Sequence, residues 1–343
     1  MALKSMRGAP RRPTLEEVGA VAGVSRATVS RVVNGSPKAS PAVRAEVERA
    51  IARLGYVPNR AARTLVTRRT DTIALVVSEP EARVFGDPFF AALVRGIGAA
   101  VSMKDLQLVL VMAQGTREHE KVERYVRQGH VDGVVLMSLH GEDPLPGAFV
   151  EAGIPTVLVG RPKGDPVVPF VDADNRGGAR LAVQFLIARR RRRIATITGP
   201  LDMCVGVDRF EGYRDALTAA HIPQRKGLVQ GGDFTEEAGH VALTRLLEKN
   251  PDIDGVFVAS DLMAAGALQA LRAAGRRVPQ DVAVVGFDDA PLARHTSPAL
   301  TTIRQPLDEM VAQTSEMLFR QVAGASRTEH VIVPTSLIKR KSA

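Results

Sequence analysis

Two spacing regimes divide this chain of 343 residues. Over residues 14–54 the apolar positions recur at helical intervals. Leu15, Val18 and Ala22 share one face, Val29, Val32 and Val33 a second, and Val43, Val47, Ile51 and Leu54 a third. From residue 71 the pattern changes to short continuous apolar runs, at 73–77, 107–112, 133–139, 156–159, 194–198, 255–259 and 282–287, separated by helical stretches. Continuous hydrophobicity predicts strands buried on both faces, and so parallel sheets covered by helices in an α/β fold. The runs fall into two halves on either side of about residue 172, with segments near Thr301 and Val331 placed to cross back.

Local signals sharpen the first regime. Thr14 and Glu17 have capping-box spacing at the first helix, Gly23 supplies a turn, and Ser25 is placed to cap the second helix. Asn34-Gly35 ends that helix, Ser40-Pro41 opens a third and Gly55 stops it. Helix, short glycine turn, helix is the helix-turn-helix pattern, here closed by a third helix.

Charge assigns this unit a partner. Residues 1–70 hold fourteen Lys and Arg against four Glu, +10 of a formal total of +9, which leaves −1 for the rest. An excess confined to one small helical unit points to phosphate backbones and double-stranded DNA. The second helix of such a unit enters the major groove with its first residues nearest the base edges. Those are Arg26, Ala27 and Thr28, an arginine able to bond guanine bidentately and two methyls able to meet thymine. Ser30, Arg31 and Asn34 suit phosphates, and Thr14 and Ser25 complete the candidate surface.

These residues carry a resemblance. PTLEEVGAVAGVSRATVSRVVNG over 13–35 and LGYVPNRAARTL over 54–65 closely resemble the signature of the LacI/GalR family of bacterial transcription repressors, and the likeness extends to the end of the chain. It implies a helix-turn-helix domain over 1–58, a hinge over 59–70 and a two-lobed, periplasmic-binding-protein-like core over 71–343. The lobes would take 71–172 with 306–332, and 173–305 with 333–343. It also implies that the hinge turns helical on DNA and wedges its leucine into the minor groove. The residues agree, since Asn59 can cap a short segment through Ala62 to Leu65 that is too brief to be stable alone.

The same resemblance implies an effector site at the strand ends of the cleft. Arg209, in RFEGY, matches the family's effector-bonding arginine, and Phe234 an aromatic that stacks on the ligand. Ser260, Asp288 and Gln305 match further contact positions, and Phe89, in DPFF, faces the cleft from the other lobe. Paired polar groups and an aromatic face suit a saccharide. Arg161 stands where many members carry an acidic residue, and Met137 where several carry a polar one. These departures predict a roomier cleft, and the segments 79–90 and 140–146 look similar to cello-oligosaccharide-responsive repressors. Asp261 is read as the cap of a helix starting at Leu262, and Asp289 as a loop-ordering residue.

Enzyme chemistry has no motif here. Gly96-Ile-Gly98 lacks the third glycine of a dinucleotide loop, no phosphate loop or nucleophile elbow occurs, and His119-Glu120 lacks the second histidine of a zinc helix. No cofactor or metal is expected. The single cysteine, Cys204, favours a reducing compartment. Neither an export signal nor a membrane-length apolar run is evident. The expectation is a cytoplasmic, homodimeric, sugar-responsive repressor of carbohydrate-utilisation genes on a pseudo-palindromic operator. No leucine heptads follow Pro334, which argues against a tetramerising coiled coil. The alternatives are the same repressor with a nucleobase or phosphorylated-metabolite corepressor, and a sugar-binding protein for transport.

Overall fold

A computed structural model describes residues 13–33, 36, 38–57, 69–164, 168–325 and 328–343. The chain divides into two compact units, 1–70 and 71–343.

The first unit holds α1 (Leu15–Ala22), α2 (Arg26–Val33) and α3 (Pro41–Leu54). At the start of α1 the Thr14 hydroxyl accepts the Glu17 N–H at 3.3 Å while the Glu17 carboxylate accepts the Thr14 N–H at 2.7 Å. Gly23 ends α1 in the left-handed region at φ 66°, where a side chain would be strained. Ser40 caps α3 ahead of Pro41, and Gly55 closes it at φ 62°. Val18, Val29, Val32, Val47, Ala50 and Tyr56 make the buried core. Gly19 permits the close turn between α1 and α2, since a Cβ there would lie 2.8 Å from the Val24 carbonyl oxygen.

The second unit carries twelve strands among its described residues: β1 (Thr72–Val77), β2 (Gln107–Met112), β3 (Gly133–Met137), β4 (Thr156–Val159), β5 (Phe170–Ala173), β6 (Ile194–Thr198), β7 (Val229–Gly231), β8 (Gly255–Val258), β9 (Ala283–Asp288), β10 (Thr301–Arg304), β11 (His330–Val333) and β12 (Ser336–Ile338). They form two sheets of order β11-β5-β4-β3-β1-β2 and β12-β10-β9-β8-β6-β7. Every pairing is parallel except β10 with β12.

The first lobe's sheet is covered by α4 (Glu81–Gly86), α5 (Pro88–Ser102) and α12 (Leu307–Val322) on one face and by α6 (Gly115–Arg127) and α7 (Leu145–Glu151) on the other. The second lobe packs α8 (Asn175–Ala188) and α9 (Cys204–Ala219) on one face, α10 (Glu236–Lys249) and α11 (Asp261–Ala273) on the other. Strand β1 shows why its run is uninterrupted. Ile73, Leu75 and Val77 enter one core while Ala74 and Val76 enter the core behind the sheet, so both parities must be apolar.

The chain crosses between lobes after β5, after β10 and again between β11 and β12. The continuous runs did not reveal β5, β7 or β12. The run Arg189–Arg193 is a tied-down connection: the Asp254 carboxylate accepts the N–H groups of Arg192 and Arg193, and Arg191 donates to the carbonyls of Pro279 and Gln280. Among the described residues no helix is long and apolar enough to cross a membrane.

Candidate functional site

On the first unit, the start of α2 presents Arg26 and Ala27 to solvent, with Thr28 and Ser30 half-buried and Arg31 exposed. Ser25 caps the helix: its Oγ accepts the Thr28 N–H at 3.2 Å and shares a second bond with the Thr28 hydroxyl at 2.9 Å. Thr14 is committed to the cap of α1. Arg26 pairs with Glu16, Nε to Oε1 at 2.9 Å, with both side chains largely exposed. Four expected DNA contacts, Asn34, Asn59, Ala62 and Leu65, lie outside the described residues.

Between the lobes, the carboxyl ends of the strands border a cavity of about 740 Å³. Arg209 enters it from α9 and is buried. Its Nε donates to Asn175 Oδ1 at 2.9 Å and its Nη1 to the Ala259 carbonyl at 2.6 Å, with Asp288 Oδ1 at 3.4 Å. The guanidinium lies 3.7 Å from the centroid of the Phe287 ring, a stacked, bonded seat that holds one orientation. Asp288 closes β9 at φ 121°, a strained conformation for a non-glycine residue. It accepts Gln305 Nε2 at 2.7 Å.

Phe234 forms an aromatic wall, also in the left-handed region at φ 70°. Gly199 makes room for it, since a Cβ there would fall 2.2 Å from Phe234 Cζ. Phe89 lines the opposite side, next to Asp87, whose Oδ1 accepts the Phe89 N–H at 2.9 Å. At the rim Arg161, following β4, reaches across to Asp208 of α9 at 2.7 Å.

Phe89, Arg161, Arg209, Phe234, Ser260, Asp288 and Gln305 all line this cavity. Met137 does not. It is the last residue of β3, and its side chain stays in the first lobe's core with Ile73 and Val159. The chain turns at the next residue, Ser138, at φ 59°, and it is Ser138 and Leu139 that reach the cavity. Ser260 lines the wall, yet its Oγ is already engaged as the cap of α11, accepting the Met263 N–H at 3.2 Å.

Ser260, and not Asp261, therefore caps that helix. Asp261 is fully buried, accepts the Thr302 hydroxyl at 2.6 Å and the Ala290 N–H at 2.8 Å, and is driven well up the carboxylate range by burial. Asp289 orders its loop by pairing with Arg304 and Arg340.

The cavity also contains groups that the pattern did not single out: Asp87, Asp172, Asn175 and Arg83. Burial pushes the Asp172 carboxyl up to about 7, with Asp208 nearby adding to the shift. Burial likewise raises Asp87 and Asp288, and the buried Arg209 is lowered for the same reason. One guanidinium thus faces three carboxyls that water does not solvate. Such a set bonds neutral hydroxyls in pairs, accepting at Asp and donating from Arg and Gln, while the rings cover apolar sugar faces. Among the described residues no group of three or more His, Cys, Asp or Glu could hold a metal ion.

Residues 14–59 match the model for bacterial regulatory proteins of the lacI family, and residues 183–343 match a periplasmic binding protein-like domain. The transcriptional regulator CelR of Thermobifida fusca is 53% identical over 336 residues, 97% of this chain and 98% of the relative. This chain belongs to the lacI family of bacterial regulatory proteins. Among solved structures, a CelR–cellobiose complex matches with a TM-score of 0.78 and 50% identity, covering 97% of this chain and all of that one. The lac repressor dimer bound to operator and an anti-inducer matches with a TM-score of 0.87 and 26% identity, covering 97% and 99%. These relatives are transcriptional regulators, built of the same two parts: a DNA-reading head and a two-lobed core.

Proposed function

We propose that the chain is a cytoplasmic, homodimeric transcriptional repressor that reads a pseudo-palindromic operator and is released from it by a cello-oligosaccharide bound between its lobes, with no turnover of that sugar. The observation that carries the effector reading is the seat of Arg209. A buried guanidinium fixed by Asn175, Ala259 and Asp288 beside the Phe234 ring offers paired polar bonds and a stacking face in one enclosed space. The complex of CelR with cellobiose gives the sugar its class.

In this reading Arg209, Asp288 and Gln305 hold hydroxyls, Phe234 and Phe89 cover ring faces, and Arg161 guards the rim. On the head, Arg26 and Ala27 read bases while Ser30 and Arg31 meet phosphates. Sugar lowers operator affinity only by binding the DNA-free arrangement better, and a coupling of about 1–3 kcal/mol is enough for regulation. The test is an operator duplex selected from random DNA, followed by fluorescence anisotropy at fixed salt with added cellobiose. A loss of operator affinity on addition supports the reading. An operator complex indifferent to cellobiose and tightened by a nucleobase or sugar phosphate replaces it with the corepressor alternative.

A further inference from the structure

A second chamber of about 1110 Å³ lies beside the Arg209 cavity, and Arg83 alone lines both. Ser78, Gln114, His119 and Asp143 of the first lobe and Asp233 and Thr235 of the second contribute to its walls. Arg83 forms the partition. Its guanidinium lies 4.7 Å from the centroid of the Phe234 ring and pairs with the buried carboxylate of Glu79.

Two donors in this chamber are buried without a hydrogen-bond partner, Arg83 Nε and His119 Nε2. His119 Nε2 stops 3.7 Å from Asp143 Oδ2, beyond bonding reach. Asp143 is itself held in place, accepting the Ser78 hydroxyl at 3.1 Å and the Leu145 N–H at 2.9 Å. A buried donor left without an acceptor is costly, and a ligand oxygen arriving there would relieve it.

The chemistry of the walls selects the occupant. The carboxylates Glu79, Asp143 and Asp233 make the chamber hostile to phosphates, and no set of ligands for a metal ion occurs among the described residues. What remains is a neutral ligand rich in hydroxyls, accepting from His119, Arg83 and Thr235 and donating to the carboxylates. Both chambers lie between the same two lobes, so one elongated molecule could occupy them together.

We propose that the outer chamber is an extension subsite of the effector cleft. It holds the glucosyl units of a cello-oligosaccharide that continue past Arg83, so the cleft grips sugars longer than a disaccharide more tightly than cellobiose itself. The inference rests on the saccharide reading of the Arg209 cavity.

The test is calorimetric titration of the full chain with cellobiose, cellotriose and cellotetraose, in wild type, His119→Ala and Gln114→Ala. One or two added hydrogen bonds correspond to a gain of roughly 2- to 10-fold per bond. Cellotetraose is therefore expected to bind at least several-fold tighter than cellobiose in wild type. In each variant that gain shrinks while cellobiose affinity holds; Gln114, on the loop before α6, repeats the test should His119→Ala disturb its helix. Equal affinities for the three sugars in wild type, or a gain that both variants keep, overturn the extension subsite alone. Failure of cellobiose itself to bind overturns the saccharide reading beneath it, and is visible in a separate arm.

Discussion

The imidazole Nδ1 of His140 lies 2.8 Å from Oδ2 of Asp202, and this bond joins the two lobes, since His140 follows β3 and Asp202 follows β6. On its other side, Nε2 is 3.1 Å from Oε1 of the buried Glu79. The Gly141 N–H runs alongside to the Asp202 carbonyl at 3.0 Å. A ring between two carboxylates donates to both only as imidazolium, and the bond to Glu79 raises the His140 pKa against the opposing effect of burial. Arg83 faces the same Glu79, and Lys163 lies near Asp202.

The clasp is therefore proton-dependent. A raised folded-state pKa stabilises the fold fully below the unfolded value of 6.5 and stops doing so as pH rises through the folded value. Melting temperatures of wild type and His140→Gln, measured across that window, should differ most on the acid side and converge at alkaline pH. With the ring 35% exposed, the effect is about 0.5 kcal/mol after solvent screening. A difference that does not change with pH would show that the proton plays no part.

Asp172 titrates in the same sense for another reason. Burial raises its carboxyl to about 7 from an ordinary 3.8, so the folded state holds a proton that the unfolded chain has lost, and stability falls as pH climbs from the lower value to the higher. Replacing it, as Asp172→Asn, should flatten the urea-unfolding free energy of the sugar-free protein over that range. An unchanged slope would place the ionisation elsewhere.

Arg209 is the counter-charge for these buried acids. Truncation as Arg209→Met is expected to cost about 3–5 kcal/mol, because it strands carboxylates away from water. Adding Asp288→Asn should return part of that loss, a coupling read from a double-mutant cycle. The milder Arg209→Lys keeps the charge and loses the fork. It should abolish the cellobiose response while operator binding survives; a normal response would remove Arg209 from the sugar's contacts.

On the head, Arg26 is held by Glu16 and must leave it to reach a base. Glu16→Gln should therefore raise operator affinity, by a few-fold at most for an exposed pair, while exchanging the residues at 26 and 27 should alter the preferred sequence in a selection experiment. A preference that survives the exchange would exclude both side chains from base reading.

How far the sequence reveals this architecture depends on the range of the interactions. The head was legible because its signals are local: Thr14 with Glu17, Ser40 before Pro41, and the glycines at 23 and 55 act within one turn. The inner strands were legible because both faces demand apolar residues. Strand β5 escaped because four residues that include a buried Asp172 make no apolar run, and β7 and β12 because edge strands are half solvated. Within the cleft, Met137 was misplaced by a single position, since the turn at Ser138 decides which neighbour faces the ligand. Asp87 and Asn175 gain their roles only from their distance to Arg209, which chain separation conceals.

The order of strands along the chain has a consequence for synthesis. The head needs nothing beyond Tyr56 to complete its core. Each lobe, by contrast, receives an edge strand from the closing stretch of the polypeptide: β11 pairs with β5, β12 pairs with β10, and the Ser342 hydroxyl bonds the Val284 carbonyl at 2.7 Å. On the ribosome, the part that recognises operators is thus finished first, and the part that can be told to let go is finished last.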